Sequence, residues 1–293
     1  MRKEMAREEE ASGRESSAES KARAAEGAKT GARQTDGPRE GHRLTKPCAV
    51  KMRALVLCSG TGSLDRAFLR QNWEVVSVDW LAKFRPSICV DIMLWDYKAA
   101  FPEDHFDFVW SSPQCTMFSQ ARTTGGPRDI QGATALVAKC LEISRWFGCA
   151  WSLENPQTGR LKEQPIMQGL PYTDLTYCKY DKYPYRKATR LWHSAAFGSA
   201  FVPRPVCCKE SPCAFFAASR CHPKSAQHGA TRAKGGGRRA DDDCSQDQLY
   251  SIPPSLCDAV VDAATILATQ QRHAAQDSAA ARDRPPEEEG DDL

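Results

Sequence analysis

The chain has 293 residues, 41% of them apolar, and a formal net charge of +3, which suits one folded domain with a small appendage. So small a charge does not by itself indicate a nucleic-acid partner, because such binding depends on where basic side chains cluster. Residues 1–48 and 274–293 are rich in charged and small side chains, and we predict that both are disordered tails. The folded domain is then predicted to comprise 49–200 and 248–273, with a small insert at 201–247.

The thirteen cysteines follow no even spacing, and the N-terminus has no secretory apolar segment. We therefore expect an intracellular, reducing compartment, and the nucleus if the source is eukaryotic. No apolar run approaches the ~20 residues that a membrane-spanning helix requires, so no membrane partner is expected. No internal repeat is visible, and we predict a monomer.

Apolar runs and turn-forming residues alternate along the chain from residue 53 onward. The predicted strands, in order, are 53–58, 73–78, a short segment around 89–92, 106–110 and 150–154, followed by a hairpin of 173–180 and 188–193. Helical spacing covers 64–71 and 134–147, and a proline pair at 253–254 opens a last helix. This order predicts a doubly wound, mostly parallel α/β sheet.

A glycine-containing turn, Ser59-Gly60-Thr61-Gly62, directly follows the first strand. Its backbone can approach a ligand closely, and the following helix offers unpaired amides. A dinucleotide fingerprint needs a third glycine where Asp65 stands, which disfavours a nicotinamide cofactor. At the ends of the next two strands, Asp79 suits ribose hydroxyls, Trp80 an adenine ring and Asp91 an exocyclic amine. The alternative for each carboxylate is a turn or a helix cap.

Cys115 lies among turn formers just past the strand 106–110, where an α/β sheet exposes its ligand crevice. It is either a nucleophile or a buried thiol that fills space. Glu154 ends the next strand, where it is either an acid or an ion-paired or capping carboxylate. A thiolate that adds to an electron-poor carbon and an acid that protonates a ring nitrogen together activate a pyrimidine. Arg190 is a suitable partner for a carboxylate or for a pyrimidine carbonyl.

These motifs, in order and spacing, resemble the cytosine carbon-5 DNA methyltransferases, and most closely their short phage, viral or algal branch. The resemblance covers about residues 52 to 270. The motifs that carry it are Leu55–Ser63, Val78–Trp80, Ser112–Ser119, Leu153–Pro156 and Arg186–Trp192. The cysteine motif combined with Glu-Asn downstream is specific, whereas the glycine turn alone is weak.

The resemblance implies that Cys115 attacks carbon 6 of a cytosine, that Glu154 engages nitrogen 3, and that carbon 5 takes the methyl group of S-adenosylmethionine. It implies a catalytic role for Arg190 as well. The cofactor residues that it implies are Ser59, Gly60, Thr61, Gly62, Asp79, Trp80, Asp91 and Pro113. The substrate is then DNA, and the target base must leave the helix stack.

Two departures from the family pattern bear on the site. The usual Pro-Pro-Cys is Pro113-Gln114-Cys115 here, which predicts a less rigid loop, and the usual Gln-x-Arg-x-Arg strand reads Arg186-Lys-Ala-Thr-Arg190. Two basic runs, 179–190 with interleaved tyrosines and 232–239, are candidates for phosphate contacts, and their tyrosines either stack on bases or pack beneath the surface. Solvated basic loops are the alternative.

The insert is rich in soft metal ligands. Cys208, Cys213, His222 and His228 have a spacing that allows a structural zinc site, although it fits no standard finger. The alternative is a loop with ordinary thiols. If zinc binds, we expect it to fold the insert without taking part in the chemistry.

Three other functions remain open from the sequence. RNA is an alternative substrate for the same methyl transfer. A catalytically inactive module that binds S-adenosylmethionine or nucleic acid is a second alternative, although such a module has no need of both Cys115 and Glu154. A zinc- or redox-responsive protein is the third.

Overall fold

The computed structural model describes residues 51–282, apart from 121, 123–125, 182 and 224–248. The predicted tail 1–48, the end of the chain past residue 282 and the basic run 232–239 therefore lie outside the described residues. None of the described helices combines the length and the apolar character needed to cross a bilayer.

Seven strands form one sheet with the spatial order β3-β2-β1-β4-β5-β7-β6. They are β1 (Arg53–Leu57), β2 (Glu74–Asp79), β3 (Ile88–Cys89), β4 (Phe108–Ser111), β5 (Ala150–Pro156), β6 (Tyr172–Thr176) and β7 (Ala188–His193). The first five strands pair in parallel, whereas β7 runs antiparallel to both β5 and β6. The predicted doubly wound sheet and its closing hairpin are confirmed.

Helices cover both faces of the sheet. They are α1 (Ser63–Arg70), α2 (Tyr97–Ala100), α3 (Ile130–Trp146), α4 (Ala195–Ala200), α5 (Ala214–Ser219) and α6 (Pro254–Arg282). Helix α3 begins four residues before its predicted start because the Asp129 carboxylate accepts a hydrogen bond from the Gly132 amide at 2.7 Å and caps the helix.

Alternate residues of the central strands enter two separate apolar cores. On one face, Val56 and Trp110 pack in a cluster with Val260 of α6. On the other, Leu57 packs in a cluster with Val137 of α3. Burial on both faces explains why β1 reads as an unbroken apolar run in the sequence.

Helix α6 continues to Arg282, past the predicted start of the C-terminal tail at 274. The segment 274–282 is rich in alanine, which has the highest helix propensity and permits a helix without burial. Arg272 ties the middle of α6 to the sheet through an ion pair with Asp107 at 2.9 Å. The described part of the helix thus extends beyond the residues that pack.

The described part of the insert, 201–223, contributes no strand to the sheet and contains only the short helix α5. Two backbone amides hold it against the end of β6. The Cys207 amide donates to Thr176 Oγ1 at 2.9 Å, and the Arg204 amide donates to the Tyr180 hydroxyl at 2.9 Å. The division of the chain into a folded domain and this insert stays a prediction.

Candidate active site

Cys115 lies in the loop that leaves β4 at the carboxyl edge of the sheet. Its carbonyl accepts hydrogen bonds from the amides of Phe118 at 3.0 Å and Ser119 at 2.9 Å, so the loop closes into a tight turn. The Phe118 side chain is fully buried and anchors that turn. Asn155 of β5 donates from Nδ2 to the carbonyl of buried Pro113 at 2.9 Å, which fixes the loop to the neighbouring strand.

Arg128 provides a second clamp that the sequence did not reveal. Its guanidinium donates to the carbonyls of Met117 at 2.9 Å, Ser119 at 2.8 Å and Arg122 at 2.8 Å. Gln114, which replaces the family's second proline, is exposed. The cysteine loop is therefore held by side-chain hydrogen bonds to its carbonyls, where the family pattern has a more rigid backbone.

Glu154 lies on β5 and is only 7% exposed. Its Oε1 accepts a hydrogen bond from the Tyr177 hydroxyl at 3.1 Å and forms an ion pair with Lys187 Nζ at 3.5 Å. The Lys187 ammonium also lies 4.7 Å from the centre of the Tyr177 ring. Tyr177 and Lys187 were not predicted as site residues, and only the strand pairing reveals that they approach Glu154.

Cys115 lies close enough to Glu154 and Lys187 for their charges to shift the pKa of its thiol. Burial raises the pKa of the Cys115 thiol, Lys187 lowers it, and Glu154 raises it again. Burial, followed by the charge of Glu154, raises the pKa of Tyr177 well above its usual range, so its hydroxyl remains a hydrogen-bond donor. A half-buried thiol beside a carboxylate in fixed position and one cation can add to an electron-poor ring.

Arg190 is placed elsewhere. Its guanidinium forms a bidentate ion pair with Asp174 at 2.6 and 2.7 Å and stacks 3.6 Å from the centre of the Tyr172 ring. In the β5–β7 register Arg190 is opposite Asn155, whereas Glu154 is opposite Leu191. Because successive residues of a strand face opposite sides of the sheet, Arg190 and Glu154 lie on opposite faces. A catalytic role for Arg190 stays a prediction that this geometry does not support.

The turn after β1 has the conformation that its glycines predicted. Gly60 and Gly62 have φ angles of +50° and +68°, a region that glycine adopts without strain. The Gly60 amide donates to Asp79 Oδ2 at 2.9 Å, and the Leu81 amide donates to Oδ1 of the same carboxylate at 2.9 Å. Asp79 therefore ties the turn to the end of β2, and its carboxylate keeps lone pairs for a further donor.

Two predicted cofactor residues at the ends of β2 and β3 are exposed. Trp80 is 66% exposed, which is unusual for so large an apolar side chain. Asp91 is exposed and accepts the Met93 amide at 3.0 Å in a local turn. Both side chains are accessible to a ligand that lies over this edge of the sheet.

Asp65, in the first turn of α1, has a buried Oδ1 atom that finds no hydrogen-bond partner among the described residues. Burial raises its pKa to about 6, although a hydrogen bond with Ser77 and one to its own backbone amide lower it. An incompletely paired carboxylate beside a glycine turn suits a cationic ligand group. The sequence feature that could have identified Asp65 as a site residue is its place in the motif, where a dinucleotide fingerprint has glycine.

The tyrosines of the basic run are packing residues. Tyr180 and Tyr185 are each 1% exposed, and the Tyr183 hydroxyl pairs with Ser251 at 2.6 Å. Of the two interpretations given to these rings, packing beneath the surface is the one that the geometry supports. Arg186 is exposed at this edge and is available to a phosphate.

The structure brings four soft ligands together at the insert. Their ligand atoms lie within 4.8 Å of one another, and the residues are Cys178, Cys207, Cys213 and His222. Cys213 and His222 were predicted. Cys208 is exposed and its Sγ accepts the Ser211 amide at 3.3 Å, so the adjacent Cys207 takes the place expected for it. His228 lies outside the described residues.

Along the carboxyl edge of the sheet, the glycine-containing turn after β1 adjoins the loop of Cys115 and the carboxylate of Glu154. The fold and this edge together define the class of α/β proteins that bind their ligand beyond the carboxyl ends of parallel strands. The chain is 32% identical over 218 residues to a probable DNA (cytosine-5)-methyltransferase of Frog virus 3 (isolate Goorha), an alignment that covers 70% of this chain and 96% of the viral protein. No protein-family model matches the chain. The chain belongs to the DNA (cytosine-5)-methyltransferase family.

Solved structures with a partial likeness include a triple mutant of Spodoptera frugiperda DNMT2, the S. pombe Dnmt2 methyltransferase and the Entamoeba histolytica methyltransferase EhMeth. Their sequence identities are 13%, 15% and 14%, and their TM-scores are 0.34, 0.31 and 0.33. Each alignment covers 49% of this chain and, respectively, 49%, 48% and 52% of the other. Likenesses at these TM-scores carry no argument about this chain.

Proposed function

We propose that this chain methylates carbon 5 of cytosine in DNA, with Cys115 as the nucleophile and Glu154 as the acid. The observation that carries the proposal is that the Cys115 loop and Glu154 belong to adjacent parallel strands, with Lys187 paired to Glu154 and the charges of both acting on the Cys115 thiol. An inactive binding module has no reason to hold a buried carboxylate beside a thiol, because an unused buried charge destabilises the fold.

Cys115, as its thiolate, forms a bond to carbon 6 of the ring, and an electron pair moves to carbon 5 while Glu154 donates a hydrogen bond or proton to nitrogen 3. S-adenosylmethionine, when bound, would supply the electrophilic methyl group that carbon 5 takes, and its sulfur would leave with the bonding pair as the thioether S-adenosylhomocysteine. A base then removes the carbon-5 proton, the ring double bond re-forms, the Cys115 sulfur leaves with its electron pair, and nitrogen 3 returns its proton to Glu154.

Lys187 and Tyr177 act in this scheme as positioning residues. Both hold Oε1 of Glu154, so the carboxyl group enters the reaction in one orientation. Lys187 also favours the thiolate form of Cys115, since a nearby cation stabilises an anion. Asn155 and Arg128 hold the loop that presents the sulfur.

The other half of the edge fits S-adenosylmethionine. The open backbone at Gly60 and Gly62 suits its methionine part, Asp79 its ribose, and exposed Trp80 its adenine ring, with Asp91 within the same surface. The incompletely paired carboxylate of Asp65 suits a cationic group, and S-adenosylmethionine carries an ammonium and a sulfonium. Binding of this cofactor to the wild type, and weaker binding to Asp65→Asn, would test the assignment.

A cytosine must be turned out of the duplex to reach the Cys115 thiol, which costs a few kcal/mol and requires contacts to the nucleic-acid backbone. Arg186 is the exposed cation of the described edge that suits such a contact. The same chemistry can act on RNA, so the substrate needs a direct comparison.

The test measures incorporation of labelled methyl groups from S-adenosylmethionine into DNA and RNA of matched sequence. We expect incorporation into DNA by the wild type, and a loss of at least about a thousandfold in Cys115→Ser, because nucleophile removal costs that much or more in covalent enzymes. Cys149→Ser is the matched control, since Cys149 precedes β5 at the opposite end of the sheet. Incorporation into RNA alone would assign the RNA function, and equal loss in both variants would remove Cys115 from the mechanism.

A further inference from the structure

Three of the four clustered ligands belong to the insert, and the fourth, Cys178, comes from the sheet side of the contact. Cys178 lies in the turn after β6, Cys207 and Cys213 flank a loop of the insert, and His222 follows α5. Cys178, Cys207 and Cys213 are buried and His222 is half-buried. Cys207, Cys213 and His222 are near one another in sequence, whereas Cys178 joins them only through the fold.

The spacing of the ligand atoms matches a tetrahedral metal site. His222 Nε2 lies 3.3 Å from Cys213 Sγ and 3.8 Å from Cys207 Sγ. Zinc bonds of about 2.3 Å to sulfur and 2.0 Å to nitrogen place tetrahedral ligand atoms roughly 3.5 to 3.8 Å apart. Three thiolates and one imidazole form a ligand set that structural zinc sites use.

Backbone amides also point at two of the sulfur atoms. The Cys213 amide donates to Cys207 Sγ at 3.4 Å, and the Phe216 amide donates to Cys213 Sγ at 3.5 Å. Hydrogen bonds from the surroundings to the ligand atoms orient metal ligands and compensate the negative charge of thiolates. These contacts fit sulfur atoms that carry charge.

The described insert is attached to the domain by Phe201, which packs in the main core, and by hydrogen bonds such as that from Lys179 Nζ to Ser211 Oγ at 3.0 Å. Beyond these contacts its apolar cluster consists only of Cys207 and Cys213 with Cys178, and Phe215 and Phe216 pack against them. So small a cluster cannot offset the entropy of ordering the segment, whereas a bound metal ion can. A disulfide would join only two of the three sulfur atoms and leave the third and the imidazole unexplained.

We infer that this chain binds a structural zinc ion through Cys178, Cys207, Cys213 and His222. The ion fastens the insert to the end of β6. Its nearest link to the active site is Tyr177, which immediately precedes Cys178 and donates to Glu154. The ion thereby fixes the turn that positions the catalytic carboxylate, and this last step, unlike the metal site itself, rests on the proposed function.

The first test measures zinc in the purified full chain by elemental mass spectrometry. We expect one zinc ion per chain in the wild type and in Cys208→Ser, and loss of zinc in Cys207→Ser. Cys208 is the matched control because it is adjacent and is also a cysteine, yet it lies outside the cluster. A wild type without zinc, or equal zinc in all three proteins, would overturn the assignment.

A second test remains informative if Cys207→Ser does not fold. Cobalt substituted for zinc reports its ligands, because thiolate-to-cobalt charge-transfer bands and tetrahedral d–d bands are visible only in such a site. In His222→Cys we expect the metal to be retained and the charge-transfer band to grow, since four thiolates also form a zinc site. An unchanged spectrum in His222→Cys, or an octahedral spectrum in the wild type, would contradict the ligand set.

The link to the active site is tested separately in Cys178→Ser. We expect zinc loss together with a methyl-transfer rate reduced about tenfold, a typical cost of losing a positioning contact to a site, while circular dichroism shows that the sheet is retained. Zinc loss with an unchanged rate would contradict the link and leave the metal site standing. If the wild type binds zinc but methylates neither DNA nor RNA, the proposed function fails and the metal site does not.

Discussion

The two halves of the carboxyl edge of the sheet are built in different ways. The half at β1 and β2 consists mainly of backbone turns and of side chains from these two adjacent strands, as in the contact of Asp79 with the turn at Gly60. One remote contact reaches it, from the Ile252 amide to Ser63 Oγ at 3.2 Å. The half at β4, β5 and β7 consists of contacts between distant segments, such as Asn155 with Pro113 and Lys187 with Glu154.

This difference predicts which property a single substitution should change in each half. A local turn is disturbed most directly by changes within it, so single substitutions in the cofactor half should weaken ligand binding or alter stability. A site assembled from several segments loses its alignment when any one of them moves, and alignment to within about 0.5 Å is what catalysis requires. Single substitutions in the catalytic half should therefore act on rate more than on stability.

The largest effect is expected from Glu154→Gln. A glutamine cannot donate a proton to the ring nitrogen, and acid–base groups contribute about 10² to 10⁴ in rate. We expect a loss of that size in the methyl-transfer rate with cofactor affinity unchanged. Glu163→Gln is the control, because Glu163 is an exposed carboxylate in a pair with Arg160. A loss of cofactor affinity in Glu154→Gln would contradict the claim that the catalytic half and the cofactor half act separately.

Arg190 tests whether a conspicuous arginine near the site is catalytic or structural. Removing either partner of the half-buried pair with Asp174 should lower the free energy of unfolding by about 2 kcal/mol, because the remaining charge loses its bidentate partner. Urea unfolding of Arg190→Met and Asp174→Asn should give equal losses and little change in rate per folded molecule. A rate collapse confined to Arg190→Met would restore the catalytic role that the sequence suggested.

Asp65 in the cofactor half should show its effect in the pH dependence of stability. Its pKa of about 6 in the folded chain exceeds the ordinary value of 3.8, so the folded state binds the proton more tightly, and stability is lost as pH rises from about 4 to 6. Asp65→Asn cannot ionise and should be more stable than the wild type by about 2 kcal/mol at pH 7.5. In urea unfolding this difference should vanish near pH 4, and a difference independent of pH would contradict the explanation.

Lys187 should have the smallest of these effects, on the reactivity of one thiol. Lys187 lowers the pKa of Cys115, so Lys187→Met should move the alkylation of Cys115 to higher pH and slow it up to about tenfold at pH 8. Peptide mapping after iodoacetamide treatment separates Cys115 from the other cysteines. Lys98→Met, which removes an exposed lysine elsewhere, should leave the profile unchanged, and a shift in both variants would exclude a local cause.

The sequence predicts the half of the edge at β1 and β2 better than the half at β4, β5 and β7. The turn at Ser59–Gly62 and the exposed Trp80 were predictable because glycine conformation and strand ends are local properties of the sequence. Cys115 and Glu154 were predictable as strand-end residues on strands that are consecutive in the sequence. Their convergence needed only the parallel order of the sheet.

The partners of Glu154 were not predictable, because Tyr177 and Lys187 reach it through an antiparallel pairing whose register sequence alone does not fix. The same register places Arg190 on the other face of the sheet. In the insert, Cys207 and Cys208 differ by one position, and the choice between them depends on the direction of an extended chain held at Thr176. Cys178 lies outside the insert, so the spacing of the insert's cysteines and histidines could not identify it as a metal ligand.

The central claim, that Cys115 is the nucleophile toward cytosine, is tested most directly by trapping the covalent complex. The purified chain is mixed with S-adenosylmethionine and duplex DNA that contains 5-fluorocytosine, whose fluorine cannot leave as a proton does and so prevents release of the enzyme. Denaturing mass spectrometry should then find DNA attached to the chain, mapped to Cys115 and absent in Cys115→Ser. An adduct on another cysteine, or none from a sample that binds the cofactor, would contradict the account.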